Sequence, residues 1–267
     1  MKLYAGFPVN SETLKKLNKK PMKNLVPLRL LLLFLLPLTF TFASFKPASS
    51  TVNPIVEKTV NTADADINSK MFIYDSLQLN NLGLSKEAFV EGLKGYSVLR
   101  SQGKLNNDNV LSIVDFTLPS TQKRLFVIDL ENFKLLFNTY VAHGRNSGKE
   151  YANRFSNSPE SHMSSLGFYV TQETYYGEHG LSLRLEGEEK GFNDNAYSRA
   201  IVIHPADYVS EKTVQSLGFL GRSYGCPALP EKVATPIIKT IKEGSCFFVY
   251  SDSKKYISRS PLLQEAS

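Results

Sequence analysis

Tryptophan is absent from the 267 residues, and cysteine occurs only twice, at Cys226 and Cys246. Two cysteines allow one disulfide at most, which excludes a small fold stapled by several bridges. Neither cysteine has a close cysteine or histidine partner at the paired spacing of a zinc site, so no metal and no cofactor is expected. An internal repeat is also missing, which removes the solenoid architectures. The body of the chain lacks an excess of positive charge as well. The formal charge is +6, but residues 1–46 hold eight basic groups against Glu12 alone. The remaining residues carry 23 basic and 24 acidic groups, close to neutral. Without a basic surface the electrostatic case for a nucleic-acid partner disappears.

What the sequence has is apolar residues, 42 % of the total. That is enough to bury a sizeable core in one large domain or two small ones. Residues 1–46 have the order of a secretory leader: a Lys-rich start, the apolar run from Leu28 to Phe45, then small residues at Ala43, Ser44, Ala48 and Ser49. A single anchoring helix is the alternative, because the run approaches the ~20 residues that cross a bilayer. Pro37 and the small-residue exit favour cleavage. No cysteine follows the run, so no lipid is attached there. The rest of the chain is expected to work outside the cytoplasm, exported to the periplasm or cell envelope, and to meet a membrane only through an uncleaved leader.

Residues 47–68 are polar and mixed in charge, and read as a linker. Residues 69–104 read as a helical segment. Ser85 stands as a cap before KEAFVEGLKGYSVLR, where Phe89, Leu93 and Tyr96 share one face. A second helix is expected over roughly Ser69 to Leu79. From Leu105 the apolar period changes to two, and strands are expected at Val110–Leu118, Lys123–Leu130, Lys134–Ala142, Gly167–Gln172, Leu181–Gly187, Arg199–His204 and Ser245–Ser251. Closely spaced short strands of this kind predict a mainly β fold, a mostly antiparallel barrel or sandwich with flanking helices over 105–255. Those helices are expected at Ser210–Gly218 and Pro230–Gly244, with Pro at the first position of the latter and Pro236 inside it. Residues 146–163 read as a long exposed loop, a feature often tied to function. Residues 256–267 read as a tail.

The two cysteines sit in contrasting surroundings. Cys246 lies in GSCFFVY, an apolar run that suits a buried strand, where a cysteine acts as a small hydrophobe. Cys226 lies in GRSYGCPALP among Gly, Ser, Arg and Pro, as a reactive thiol would. A thiol becomes a nucleophile when a neighbouring imidazole generates its thiolate. His204 ends the apolar run AIVI, at the mouth of a strand where a side chain can face a cleft. His162 and His179 read as solvated or core residues. His143 is left open, since the Gly and Ser after it in HGRNSG suit a substrate-lining loop. Gly225 lets the backbone turn and present the N–H groups of Tyr224 to Cys226 to an oxyanion. Ser223 can orient the imidazole or the substrate, and Arg222 can bind a carboxylate.

A strand ending in histidine, a connection with a helix, then Ser-x-Gly-Cys and a further helix resembles the catalytic domain of the YkuD-like L,D-transpeptidases, in particular the murein L,D-transpeptidase catalytic domain family. VIHPADYV, GRSYGCPALP, SHMSSLGFYVT, YVAHGRNSG and RLEGEEKGFNDNAYSR carry the likeness, over roughly Leu105 to Ser251. The commoner family pattern has histidine where this chain has Tyr224 and a residue other than proline at Pro227. The resemblance implies acyl transfer on peptidoglycan stem peptides, with Cys226 as nucleophile, His204 as base and Ser223 beside them. It implies Tyr224 and Gly225 at the oxyanion, and Arg222, His143, Gly144 and Ser165 toward the substrate. The rival readings are an L,D-carboxypeptidase, a sortase-like cysteine transpeptidase acting on proteins, and a non-catalytic wall-binding module with a Cys226–Cys246 disulfide.

Overall fold

The computed structural model describes residues 62–266. The expected leader and most of the expected linker lie outside them. Among the described residues no helix is long and apolar enough to cross a membrane. The first helix, α1 (Thr62–Ser76), begins ahead of the expected Ser69 start. Helix α2 (Lys86–Ser101) starts where expected, with the Ala88 N–H donating to the Ser85 hydroxyl oxygen at 3.2 Å. That hydroxyl in turn donates to Asp115 at 2.8 Å, and the Ser85 N–H donates to the same carboxylate at 3.1 Å. One buried carboxylate thereby ties the cap of α2 to the end of the first strand.

Eight strands follow: β1 (Val110–Asp115), β2 (Leu125–Asp129), β3 (Lys134–Thr139), β4 (Gly167–Gly177), β5 (Gly180–Gly187), β6 (Val202–Ala206), β7 (Ala228–Pro230) and β8 (Cys246–Tyr250). They form one sheet in the order β3-β2-β1-β8-β4-β5-β6-β7. Most pairings are antiparallel, but β1–β8 and β6–β7 run parallel. Strand β8 is buried along its whole length, as its unbroken apolar run requires of a strand flanked on both sides. The two edges of the sheet approach each other. Past β3, the Ala142 N–H donates to Ala228 O at 2.9 Å, so the sheet curls into a near-barrel. Closing the edges in this way removes exposed ladder groups.

Helix α3 (Glu211–Leu217) runs in the crossover between β6 and β7, capped by Ser210 and stopped at Gly218 with φ 78°. Helix α4 (Glu231–Ile241) buries Ala234, Ile237, Ile238 and Ile241; Pro230 is its cap rather than its first residue. The expected tail is instead ordered as α5 (Lys254–Ile257) and α6 (Pro261–Glu265), each opened by a serine cap. Glu189, fully buried, fastens both. Its carboxylate accepts from the Phe168 N–H at 2.8 Å, the Tyr256 hydroxyl at 2.7 Å and the Ser260 hydroxyl.

Helix α2 lies close against the sheet at Gly95. A Cβ there would stand 2.2 Å from Cζ of Phe168. That ring cannot retreat, because it stacks on Phe248 with centroids 4.0 Å apart. Gly95→Ala improves helix propensity by about 1 kcal/mol yet is expected to destabilise the protein by ~1–3 kcal/mol through overpacking. Denaturant unfolding measures the balance, and a stabilised variant would contradict this packing.

Candidate active site

Strand β6 places His204 opposite Ala228 of β7. The imidazole is almost fully buried, and its Nδ1 lies 2.9 Å from Pro205 O. A carbonyl oxygen only accepts, so Nδ1 carries the proton and the Nε2 lone pair is left for a second proton. Burial pushes the His204 pKa below the ordinary 6.5. The Pro205 carbonyl works the other way, and the charge of His179 adds to the lowering. His179 lies over the His204 ring, centroids 4.5 Å apart and planes 25° from parallel. It stands in the short turn between β4 and β5.

Cys226 stands two residues before β7, with Pro227 between, and is half-buried. Its thiol donates to Ala200 O at 3.7 Å; no hydrogen bond joins it to His204 in this state. Such bonds often tighten only when substrate is bound. Burial raises the Cys226 pKa, opposed by the Val202 N–H, the Arg199 charge and the thiol's own backbone N–H. Thiol and imidazole are thus both shifted toward their neutral forms.

The turn that presents the thiol is fastened from inside. The Ser223 hydroxyl donates to Cys226 O at 2.6 Å and accepts from the Gly225 N–H at 3.0 Å. Neither partner is the imidazole or open to substrate, so Ser223 braces the turn. Gly225 has φ 127°, and a Cβ there would stand 2.8 Å from Met163 O. Both backbone angle and space demand glycine. Its N–H is occupied by Ser223, which leaves the N–H groups of Tyr224 and Cys226 without a carbonyl or hydroxyl acceptor among the described residues.

The remaining predicted residues are placed as follows. His143 is fully buried: Nδ1 accepts from Arg124 Nη2 at 2.8 Å and Nε2 lies 3.3 Å from Gly148 O. Burial and the Arg124 charge push its pKa down to about 3. With both nitrogens engaged, His143 supports the loop and has none to offer a ligand. Gly144 is packed under that loop, its N–H donating to Ser164 Oγ at 3.1 Å. Ser165 donates to Ser156 O at 2.8 Å and accepts from Arg199. Arg222 spends Nη1 on Gly148 O at 3.0 Å and Arg145 O at 3.3 Å, and covers the Phe219 ring. Tyr224 is 65 % exposed, with His162 and Arg145 against its ring.

Three groups near the pair have no counterpart among the expected site residues. The Pro205 carbonyl has no side chain to announce it. His179 reaches His204 only because β5 pairs with β6. Arg199 was expected to open a strand, whereas β6 starts at Val202 and Ala200 turns at φ 53°. The Arg199 guanidinium donates to Ser156 O at 3.0 Å, Ser161 Oγ at 3.1 Å and Met163 O at 2.8 Å, so it gathers the long loop beneath Gly225.

Grooves of about 590 and 570 Å³ open elsewhere, the first beside Phe155, Phe192 and Arg259, the second between Tyr140, Glu211 and Lys232. Neither is lined by Cys226 or His204, so the site is assigned from its chemistry and not from the size of a hollow. Both cysteines are free thiols, and Cys246 is sealed within β8 between Leu111 and Val170. Among the described residues no three His, Cys, Asp or Glu side chains converge as a metal site would. The stacked pair yields a direct prediction. His179→Ala removes a like charge and part of the covering surface, so NMR titration of the His204 ring should show its pKa rising; a fall or no change would contradict the stacking.

No curated protein matches the sequence. Among solved structures, an L,D-transpeptidase from Mycobacterium smegmatis is similar at 14 % identity and a TM-score of 0.33, covering 54 % of this chain and 59 % of its own. L,D-transpeptidases from Xylanimonas cellulosilytica (10 % identity, 70 % of this chain, 93 % of its own, TM-score 0.31) and Stackebrandtia nassauensis (13 %, 72 %, 80 %, 0.31) also match. The chain thus spans under two thirds of the M. smegmatis protein. The model of the L,D-transpeptidase catalytic domain matches residues 80–250, more than half of the sequence and all of the site just described. With that match and a near-barrel that sets His204, in the middle of β6 and not at its end as expected, beside the turn that carries Cys226 into β7, the chain belongs to the L,D-transpeptidase catalytic domain family.

Proposed function

We propose that the protein is an exported L,D-transpeptidase that exchanges the terminal D-residue of a peptidoglycan stem through a Cys226 thioester. The observation that carries this is the contact between His204 Nδ1 and the Pro205 carbonyl. The His204 Nδ1–H is held by Pro205 O at 2.9 Å, so Nε2 can take the thiol proton. The thiolate adds to the carbonyl of the third stem residue, an L-centre. The oxyanion that forms is met by the N–H groups of Tyr224 and Cys226. Collapse breaks the C–N bond, and His204 returns the proton to the departing amine of the fourth, D-configured residue. An amine from a second stem or a protein then takes the acyl group and gives a cross-link; water gives trimming. Tyr224 and Pro227, which depart from the commoner pattern, flank the nucleophile on either side.

Export is supported by the leader pattern of residues 1–46, with its basic start and apolar run. The wall-binding alternative relied on a disulfide that two separate free thiols do not form. A sortase-like enzyme would form its thioester on an all-L peptide, whereas this reading requires an L,D bond. Cys226→Ala is expected to lower release of D-alanine from a tetrapeptide stem by roughly a thousandfold or more. Cys246→Ala should leave release near the wild-type rate, since that thiol is sealed in the sheet. Chromatographic assay of free D-alanine distinguishes the two variants, and undiminished release by Cys226→Ala would overturn the proposal.

A further inference from the structure

Three side chains from three separate segments meet on the solvent side of the nucleophile turn. The Arg145 guanidinium lies over the Tyr224 ring, Cζ 4.7 Å from the centroid. Its Nη2 donates to His162 Nδ1 at 3.1 Å, and the His162 ring stands 4.6 Å from that of Tyr224. The backbone holds this grouping in place. The Arg145 N–H donates to Ser223 O at 2.8 Å and the Asn146 N–H to His162 O at 3.1 Å. The Asn146 side-chain amide donates to Ser161 O at 2.9 Å. His162 sits at φ 52°, a backbone angle that a non-glycine residue keeps only where its surroundings enforce it. Arg145 is therefore stacked and bonded, unlike a free surface arginine.

A guanidinium has five N–H donors and no acceptor. One of Arg145's is directed to His162, and no acidic side chain among the described residues pairs with it. Because Arg145 only donates, neutral His162 accepts at Nδ1 and carries its own proton at Nε2. Tyr224 adds a hydroxyl, two residues before the nucleophile. A planar cation beside further donors is the arrangement that recognises a carboxylate. Arg222, the expected carboxylate binder, has turned its Nη1 to backbone carbonyls instead.

We infer that Arg145, His162 and Tyr224 form a carboxylate-binding site for the free α-carboxylate of the leaving D-residue; this rests on the L,D-transpeptidase reading. In a tetrapeptide stem the departing residue is the last one. Its carboxylate then lies one residue, about 3.5 Å, beyond the attacked carbonyl, and the two residues from Cys226 to Tyr224 span at most about 7 Å. The stem terminus and the Tyr224 clamp thus lie at comparable lengths from the reacting atoms, so a stem whose carbonyl meets the thiol is long enough to extend its carboxylate toward Arg145. Such a site selects chain ends over continuing chains, and a stem longer by one residue would carry its carboxylate past the clamp.

Binding without turnover tests this. In a Cys226→Ala background, calorimetric titration with a tetrapeptide stem and with its C-terminal amide should show the acid bound tighter by roughly ten- to a hundredfold, the worth of a charge-assisted pair. Adding Arg145→Gln should lower the acid's affinity to that of the amide, with thermal unfolding run alongside to show that the variant is folded. Equal affinity for acid and amide in the Cys226→Ala protein, equal loss for both on adding Arg145→Gln, or no binding of either overturns the site. D-residue release by the wild-type protein is assayed separately. Release that ignores Arg145→Gln overturns the clamp alone, whereas acid-selective binding with no release by wild type overturns the transpeptidase reading.

Discussion

Everything at the site depends on the parallel pairing of β6 with β7, which sets His204 opposite Ala228. Parallel neighbours cannot be joined by a hairpin, so the chain leaves β6, crosses through α3 and returns from the same end. The returning segment must turn sharply before it enters β7, and Cys226 sits in that turn. The turn therefore has to be fastened by its own residues. Ser223 bonds both the Gly225 N–H and the Cys226 carbonyl, and Gly225 accepts a backbone angle and a closeness to Met163 that another residue would not. The segment after β3 bonds to the same region through Ala142 and Gly144, so closing the barrel and positioning the thiol are one event.

Electrostatics then decides how the pair rests. Burial raises the Cys226 pKa and lowers that of His204, so both groups are shifted toward their uncharged forms. The opposing influences are arranged around them: the Pro205 carbonyl on His204, and the Val202 N–H and Arg199 charge on Cys226. Arg124 plays a comparable part for the loop below. Fully buried, it donates to Val141 O, Leu118 O and His143 Nδ1, and so keeps the latter imidazole neutral. The clamp inferred at Arg145 extends this scheme to the surface, where a cation can still meet a ligand.

Much of the fold was legible because local patterns and tertiary structure agree. Ser85, Ser210 and Gly218 mark helix ends in both sequence and structure, and GSCFFVY is buried as an unbroken apolar run must be. Failures fall where a backbone angle or a distant partner decides. Ala200 turns left-handed and displaces the start of β6, and α5 and α6 are ordered by Glu189, far away in sequence. At the site, residue type and placement pointed to Cys226 and His204, and the structure shows β6 and β7 side by side. The roles of Ser223, His143 and Arg222 were not, because each spends its polar atoms on backbone groups that composition cannot reveal. His179 and Pro205 O stayed hidden for the same reason.

The most direct test of the account is intact-protein mass spectrometry after mixing with a tetrapeptide stem and quenching in acid. The account predicts an adduct equal to the stem less its terminal D-residue and a water, located at Cys226 by digestion and lost in Cys226→Ala. An adduct that persists in Cys226→Ala, or an unmodified wild-type protein under conditions where D-alanine is released, would contradict it.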